Sequence, residues 1–108
     1  MNGSFEIREY TEAGRSPFAE WFNGLDAVAA DRVDRSIRRL ETGNFGAAKS
    51  LRGGVFELRM DFGPGYRVYY GREGRTIIIL LGGGGKRRQD ADIAATVKRW
   101  NRYKQTRA

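Results

Sequence analysis

The chain has 108 residues, which fits a single domain over 1–108 with one modest core. It has neither cysteine nor histidine, so disulfides, thiolate metal sites and the commonest general base are excluded, and we expect no metal ion or cofactor. The net charge is +7, and no apolar run reaches the ~20 residues that span a membrane, so we expect a cytoplasmic protein without membrane contact.

The first half of the chain predicts one strand and two helices. Apolar and charged residues alternate in FEIREY (5–10), as in a short strand. Ser16 followed by Pro17 favours the start of a first helix. A second helix is predicted over about 26–41, where apolar residues recur at helical spacing. ETGNFGAAKS (41–50) is predicted to be a loop.

Residues 55–82 predict three strands in an antiparallel meander. VFELRMDF alternates, YRVYY follows a Gly-Pro-Gly turn, and TIIILL is apolar on both faces, as expected for a central strand. EG at 73–74 predicts a two-residue hairpin turn. With that turn, three residues of the last strand lie on the face of the sheet that carries the apolar side chains of the two preceding strands: Ile77, Ile79 and Leu81.

The turn at 63–65 decides where Arg67 points. A three-residue loop places Arg67 opposite Asp61, segregates the apolar side chains on one face and leaves Arg59 beside Arg67 on the other. The structural alternative to a functional role is that Glu57 and Asp61 neutralise these two arginines.

The segment LLGGGGKRRQD (80–90) is predicted to connect the last strand to the final helix. It does not match a nucleotide-binding P-loop, because Leu80 and Arg87 occupy the positions of the first glycine and of the Ser or Thr. The glycine amides can still face an anion together with Lys86, Arg87 and Arg88. A flexible connector is the alternative interpretation.

The final helix is predicted over 89–103, with a tail at 104–108. Residues 86–108 hold a balance of +6, against +1 for the rest of the chain. Such local positive charge favours a polyanion, RNA or DNA, as partner, although a solvated helix face and tail would also explain it. The predicted RNA-binding residues are Arg87, Arg88, Lys98, Arg99 and Arg102.

The motif FGPGYRVYYGREG (62–74), followed by Lys86, Gln89, Asp92 and Ile93, resembles the RelE/HigB-type toxins. The likeness is greatest to the branch of phage-derived addiction-module killer proteins. It implies a small α+β RelE-like fold, β-α-α-β-β-β-α, with an antiparallel sheet packed by helices. It also implies a toxin of a type II toxin–antitoxin system, an antitoxin partner of helix-turn-helix type, and an assembly compatible with a dimer of toxin–antitoxin pairs.

Among the proteins that this chain resembles, some cut messenger RNA in the ribosomal A site without a metal ion, and others, of ParE type, poison DNA gyrase. Tyr66 and Arg67 match the tyrosine–arginine pair of the RNA-cutting members, in which the arginine belongs to the active site. Lys86 and Arg87 fall in their basic segment, whereas the early lysines of those members have no counterpart near Glu57.

RNA cleavage by 2′-hydroxyl attack requires proton transfers and stabilisation of a dianionic phosphorane. Preorganised cations suit the second task, and Arg59, Arg67, Lys86 and Arg88 are the candidates. Glu57 and Tyr69 are candidates for the proton steps, but their ordinary pKa values lie far from neutral. The resemblance therefore implies a ribosome-dependent mRNA endonuclease. A non-enzymatic gyrase poison and a plain RNA-binding module are the alternatives.

Overall fold

A five-stranded sheet organises the chain, which the computed structural model describes from residue 4 to residue 107. The strands are β1 (Glu6–Glu9), β2 (Ala48–Ser50), β3 (Phe56–Arg59), β4 (Arg67–Glu73) and β5 (Ile77–Gly84). The helices are α1 (Pro17–Asn23), α2 (Ala27–Glu41) and α3 (Gln89–Arg107), with short 3₁₀ turns at Arg52–Gly54 and Lys86–Arg88. The predicted α+β class is confirmed. In the described part of the chain no helix is long and apolar enough to cross a membrane.

Side-chain caps fix the starts of the first two helices where the sequence predicts them. The Ser16 hydroxyl accepts a hydrogen bond from the Ala19 amide (3.0 Å), and the Asp26 carboxylate accepts one from the Ala29 amide (2.9 Å). Each bond satisfies an amide that has no partner inside its helix. α2 then buries one face against the sheet: Ala29, Val33, Ile37 and Leu40.

Helices cover both faces of the sheet and divide the core into two clusters. α1 and α2 pack on the face that carries Val68 and Tyr70 of β4. α3 packs on the other face, around Tyr69 of β4, with Ile93 and Trp100 as its main contacts. Successive residues of β4 therefore serve opposite cores, as the two-residue period of a strand requires.

The two outer strands differ from the sequence prediction. The strand order is β1-β5-β4-β3-β2, and β1 joins β5 in parallel, with Ile7 beside Ile78. The prediction of a loop throughout 41–50 was wrong, because Ala48–Ser50 forms the short edge strand β2. This strand has only three residues and no apolar alternation, so the pattern criterion could not detect it.

The loop between β3 and β4 is two residues longer than predicted. The Met60 amide donates to the Tyr66 carbonyl (2.9 Å), which leaves residues 61–65 as the loop. Arg67 therefore lies opposite Arg59, and its predicted placement opposite Asp61 was wrong. A shift of two residues keeps every side chain on its face, so the predicted segregation of the two faces of this strand pair holds.

The hairpin between β4 and β5 changes the faces of β5. Glu73 pairs with Ile77 across a loop of 74–76, where the sequence predicted a two-residue turn. The loop is one residue longer than predicted, and a change by an odd number of residues turns every side chain of β5 to the other face of the sheet. Ile79 and Leu81 therefore face α3, and the predicted placement of Ile77, Ile79 and Leu81 was wrong. Their neighbours on the strand, Ile78 and Leu80, face α1 and α2 instead.

Most of the glycine run belongs to β5 and not to a connecting loop. Gly82, Gly83 and Gly84 pair with β4, so the predicted glycine-lined anion loop is not formed by these residues. A Cβ atom at Gly83 would overlap Trp21 of α1, and one at Gly84 would overlap the Asp92 carboxylate of α3. The glycines therefore let both helices approach the strand closely. The predicted tail was also wrong over 104–107, since α3 continues to Arg107, and position 108 lies outside the described residues.

Candidate functional site

The basic turn, which we define as Lys86–Arg88, lies at one end of the sheet. Its three side chains are exposed. The Lys86 amide donates to the Pro64 carbonyl (3.2 Å), which places the turn beside the 61–65 loop. Gly65 separates Lys86 from Arg67, because a Cβ atom at Gly65 would lie 3.7 Å from Lys86 Cβ and 3.8 Å from Arg67 Nη1. The structure thus places Arg67 and Lys86 on either side of Gly65.

Arg67 itself is buried, with only 7% of its surface exposed. Its Nη1 donates to the Gly65 carbonyl (2.9 Å), and its Nε lies 3.4 Å from Oε1 of Glu57, which is 2% exposed. This ion pair lacks hydrogen-bond geometry, and within residues 4–107 neither Arg67 Nε nor Glu57 Oε1 has a hydrogen-bond partner. The partner of Arg67 is therefore Glu57, one of the two carboxylates considered from the sequence.

Tyr69 lies beside this pair but offers little as a proton carrier. It faces Glu57 across the strands and is fully buried, and its hydroxyl has no hydrogen-bond partner in the described part of the chain. Burial raises the pKa of Tyr69 to about 12, and the negative charges of Asp92 and Glu57 add to the rise. At neutral pH the phenol therefore stays protonated.

Asp92 completes the buried edge of this site, although the sequence did not identify it as a site residue. It lies in the first turn of α3, with its carboxylate directly over Gly84. Burial raises its pKa, while Arg88 and Arg99 act in the opposite direction. The available signal was a glycine inside an apolar strand, which marks a close approach by another group.

The other predicted cations lie in several environments. Arg59 is exposed and lies 3.6 Å from Asp61. Arg99 donates to the Leu81 carbonyl (2.9 Å), and Arg102 binds both carboxylate oxygens of Glu12 (3.0 and 3.1 Å). Lys98 is exposed on α3.

Four of the five predicted RNA-binding residues therefore fall into two groups. Arg87 and Arg88 stand at the sheet end beside Lys86. Arg99 and Arg102 already hold α3 against β5 and against Glu12. Between residues 4 and 107 no three acidic side chains are grouped so that they could hold a metal ion.

Comparison with known proteins extends over most of these elements. The profile of the family described as "Phage derived protein Gp49-like (DUF891)" matches residues 20–104, which include the 61–65 loop, the basic turn and most of α3. An uncharacterised protein of Haemophilus influenzae is 46% identical over 77 residues, which are 70% of this chain and 78% of that relative. The chain therefore belongs to the Gp49-like family of phage-derived proteins, a toxin-like family of addiction modules.

Proposed function

We propose that this chain is the toxin of a toxin–antitoxin pair and that, like RelE- and HigB-type toxins, it stops translation by cutting messenger RNA on the ribosome. Family membership supports the toxin role. The observation that supports RNA as the substrate is the exposed basic turn, which lies beside the 61–65 loop that Arg67 contacts. In this proposal the chain acts in the cytoplasm, where its antitoxin, of helix-turn-helix type, neutralises it.

The exposed cations are the groups that contact the phosphate in this proposal. Lys86, Arg88 and Arg59 reach solvent and would stabilise the charge that develops on the phosphorane. Arg67 acts through the backbone: it fixes the Gly65 carbonyl, next to the Pro64 carbonyl that accepts from Lys86. Arg67 is thus a positioning residue that fixes the loop and the basic turn relative to each other.

The proton steps explain why the proposed activity depends on the ribosome. Tyr69 and Glu57 were the sequence candidates, but both are buried under α3. A tyrosine with a pKa of about 12 is a poor base at neutral pH, and a buried carboxylate does not reach an exposed 2′-hydroxyl. The ribosome therefore supplies the proton transfer, and the chain supplies charge and position.

The test is expression of the chain in bacterial cells, followed by primer extension on their messenger RNA. The proposal expects growth arrest, relief by the antitoxin, and new RNA ends within codons of translated messages. Purified messenger RNA without ribosomes should stay intact. Lys86→Ala/Arg88→Ala should reduce cleavage about a hundredfold or more, whereas the exposed control Arg15→Ala/Arg75→Ala should cut normally. Intact messages together with broken or relaxed DNA would instead identify a ParE-like gyrase poison.

A further inference from the structure

A groove of about 550 Å³ lies between α2 and the end of β3. The apolar residues of its lining that reach solvent are Ala47 and Phe62, and they form its floor over Leu58 and Met60, which belong to the buried core. Because α2 covers the sheet face opposite α3, this groove and the buried Arg67–Glu57 pair lie on different faces of the sheet. The groove is therefore a second candidate binding surface, which shares Arg59 and the first residues of the 61–65 loop with the site described above.

Four arginines line the groove and form its rim: Arg32, Arg35, Arg39 and Arg59. The single acidic residue of the lining is Asp61. Arg35 pairs with Asp31 on the surface of α2 (3.0 Å), and Arg32 lies over the Phe62 ring at 5.0 Å from its centroid. Among residues 4–107 no ion pair is found for Arg39. The rim thus presents an excess of exposed positive charge above an apolar floor.

We propose that this groove binds an acidic, amphipathic segment of the partner protein, which under the proposed function is the antitoxin. Guanidinium groups match carboxylates in charge and in planar geometry, so a ring of arginines favours Glu or Asp on the segment. Ala47 and Phe62 would contact apolar side chains on the inner face of the same segment. This combination is the helix-in-groove mode of recognition.

The apolar floor favours a protein segment over RNA. A phosphate backbone would pair with the arginines but would offer no apolar group to Ala47 and to the exposed part of Phe62. The exposed basic turn beside the 61–65 loop already offers a phosphate site elsewhere on the surface. A partner in the groove would therefore leave the basic turn accessible, so that a change at Arg39, which the proposed function does not use, should separate neutralisation from toxicity.

The first experiment measures binding by fluorescence anisotropy with the full chain. The probe is a labelled helical peptide of about five turns, with Leu on one face and Glu along both flanks. Arg39→Glu should weaken its binding about tenfold or more. Arg75→Glu makes the same charge change on the exposed β4–β5 loop and should have little effect. Equal weakening by both variants, or no binding of the peptide to the unchanged chain, would refute the groove.

The second experiment measures toxicity and rescue in cells. Arg39→Glu should arrest growth like the unchanged chain but resist the antitoxin, while Arg75→Glu should remain rescuable; thermal melts verify that both are folded. A toxic Arg39→Glu chain that the antitoxin still rescues would refute the groove as the antitoxin-binding surface without affecting the proposed function. An unchanged chain that fails to arrest growth would overturn the proposed function itself. Loss of toxicity in folded Arg39→Glu would assign the groove to RNA and reject the protein segment.

Discussion

The ion pair of Arg67 and Glu57 is buried but imperfectly bonded. Both side chains have lost most of their water, and their closest contact, at 3.4 Å, lacks hydrogen-bond geometry. Desolvation of two charges exceeds the attraction between them unless the geometry is excellent. The pair is therefore a weak source of stability, and its position next to the Gly65 carbonyl supports a role in holding the loop.

Removal of one partner of this pair should destabilise the fold. Arg67→Ala leaves the Glu57 charge buried and unpaired, and we expect a loss of about 3–5 kcal/mol in the free energy of unfolding. The double variant Glu57→Leu/Arg67→Met removes both charges and should recover most of that loss. Urea denaturation measures both effects.

Toxicity of the same double variant tests the positioning role of Arg67. A folded Glu57→Leu/Arg67→Met chain should have lost its toxicity, because the Gly65 carbonyl has lost its donor. If this folded variant kills as efficiently as the unchanged chain, then Arg67 is purely structural. If Arg67→Ala unfolds at the same urea concentration as the unchanged chain, the pair is not buried as described.

Gly84 should be intolerant of any side chain. Gly84→Ala places a methyl group where the Asp92 carboxylate lies, and we expect a loss of about 1–3 kcal/mol in unfolding free energy. Gly85→Ala is the matched control, since its nearest atoms, in Pro64, are 3.8 Å away. Adding Asp92→Ala to Gly84→Ala should recover part of the loss. Equal stability of the two single variants would show that α3 does not pack on Gly84.

At the level of the helices, the N-cap of α2 should contribute measurably to stability. Asp26→Ala removes the acceptor for the Ala29 amide, and we expect a loss of about 1 kcal/mol. Asp34→Ala changes the same residue type in the same helix but removes only an exposed pair with Arg38 (3.6 Å), so its effect should stay within about 0.5 kcal/mol. Thermal unfolding of both variants checks the difference. A larger loss from Asp34→Ala than from Asp26→Ala would contradict the assigned cap.

The helices could be predicted from the sequence better than the strand registers. Ser16 and Asp26 are local signals, since a cap needs only the next three residues. The turns at 61–65 and 74–76 are each longer than their glycine motifs indicated, because left-handed residues such as Gly65 and Gly74 fit several loop lengths. Register depends on that length, so the faces of β5 could not be derived from its apolar pattern alone.

The candidate site was also predicted only in part, because some of its contacts join elements that are distant in the sequence. Arg67 and Lys86 were both candidate cations from the sequence, and both lie beside the 61–65 loop. Burial of Glu57 and Tyr69 could not be seen, because it results from α3 packing on their face. Asp92 reaches the site through the same long-range contact.

At the level of the whole molecule, buried tyrosines should limit stability at alkaline pH. Burial raises the pKa of both Tyr69 and Tyr70 to about 12, above the ordinary value near 10. The pKa of each of these phenols is higher in the folded state than in the unfolded state. Their contribution to the free energy of unfolding is therefore complete below about pH 10 and is lost as the pH rises toward about 12. The melting temperature should therefore fall steeply across this interval.

Tyrosinate absorbance provides the independent measurement. The ionisation of Tyr69 and Tyr70 should coincide with loss of the folded state, and Tyr69→Phe should flatten the fall in melting temperature. If all five tyrosines ionise together near pH 10 in a chain that is still folded, the burial of these two phenols is refuted.

The parallel pairing of β1 with β5 governs the order in which the chain can assemble during synthesis. Glu6 pairs with Ile77, so the first strand has no partner until the chain has been made to the far side of the β4–β5 hairpin. At about 5–20 residues per second, β1 waits several seconds, and such distant contacts also slow folding after synthesis. The basic turn comes later still, at residues 86–88. A nascent chain therefore carries no assembled sheet end until Arg88 has been translated.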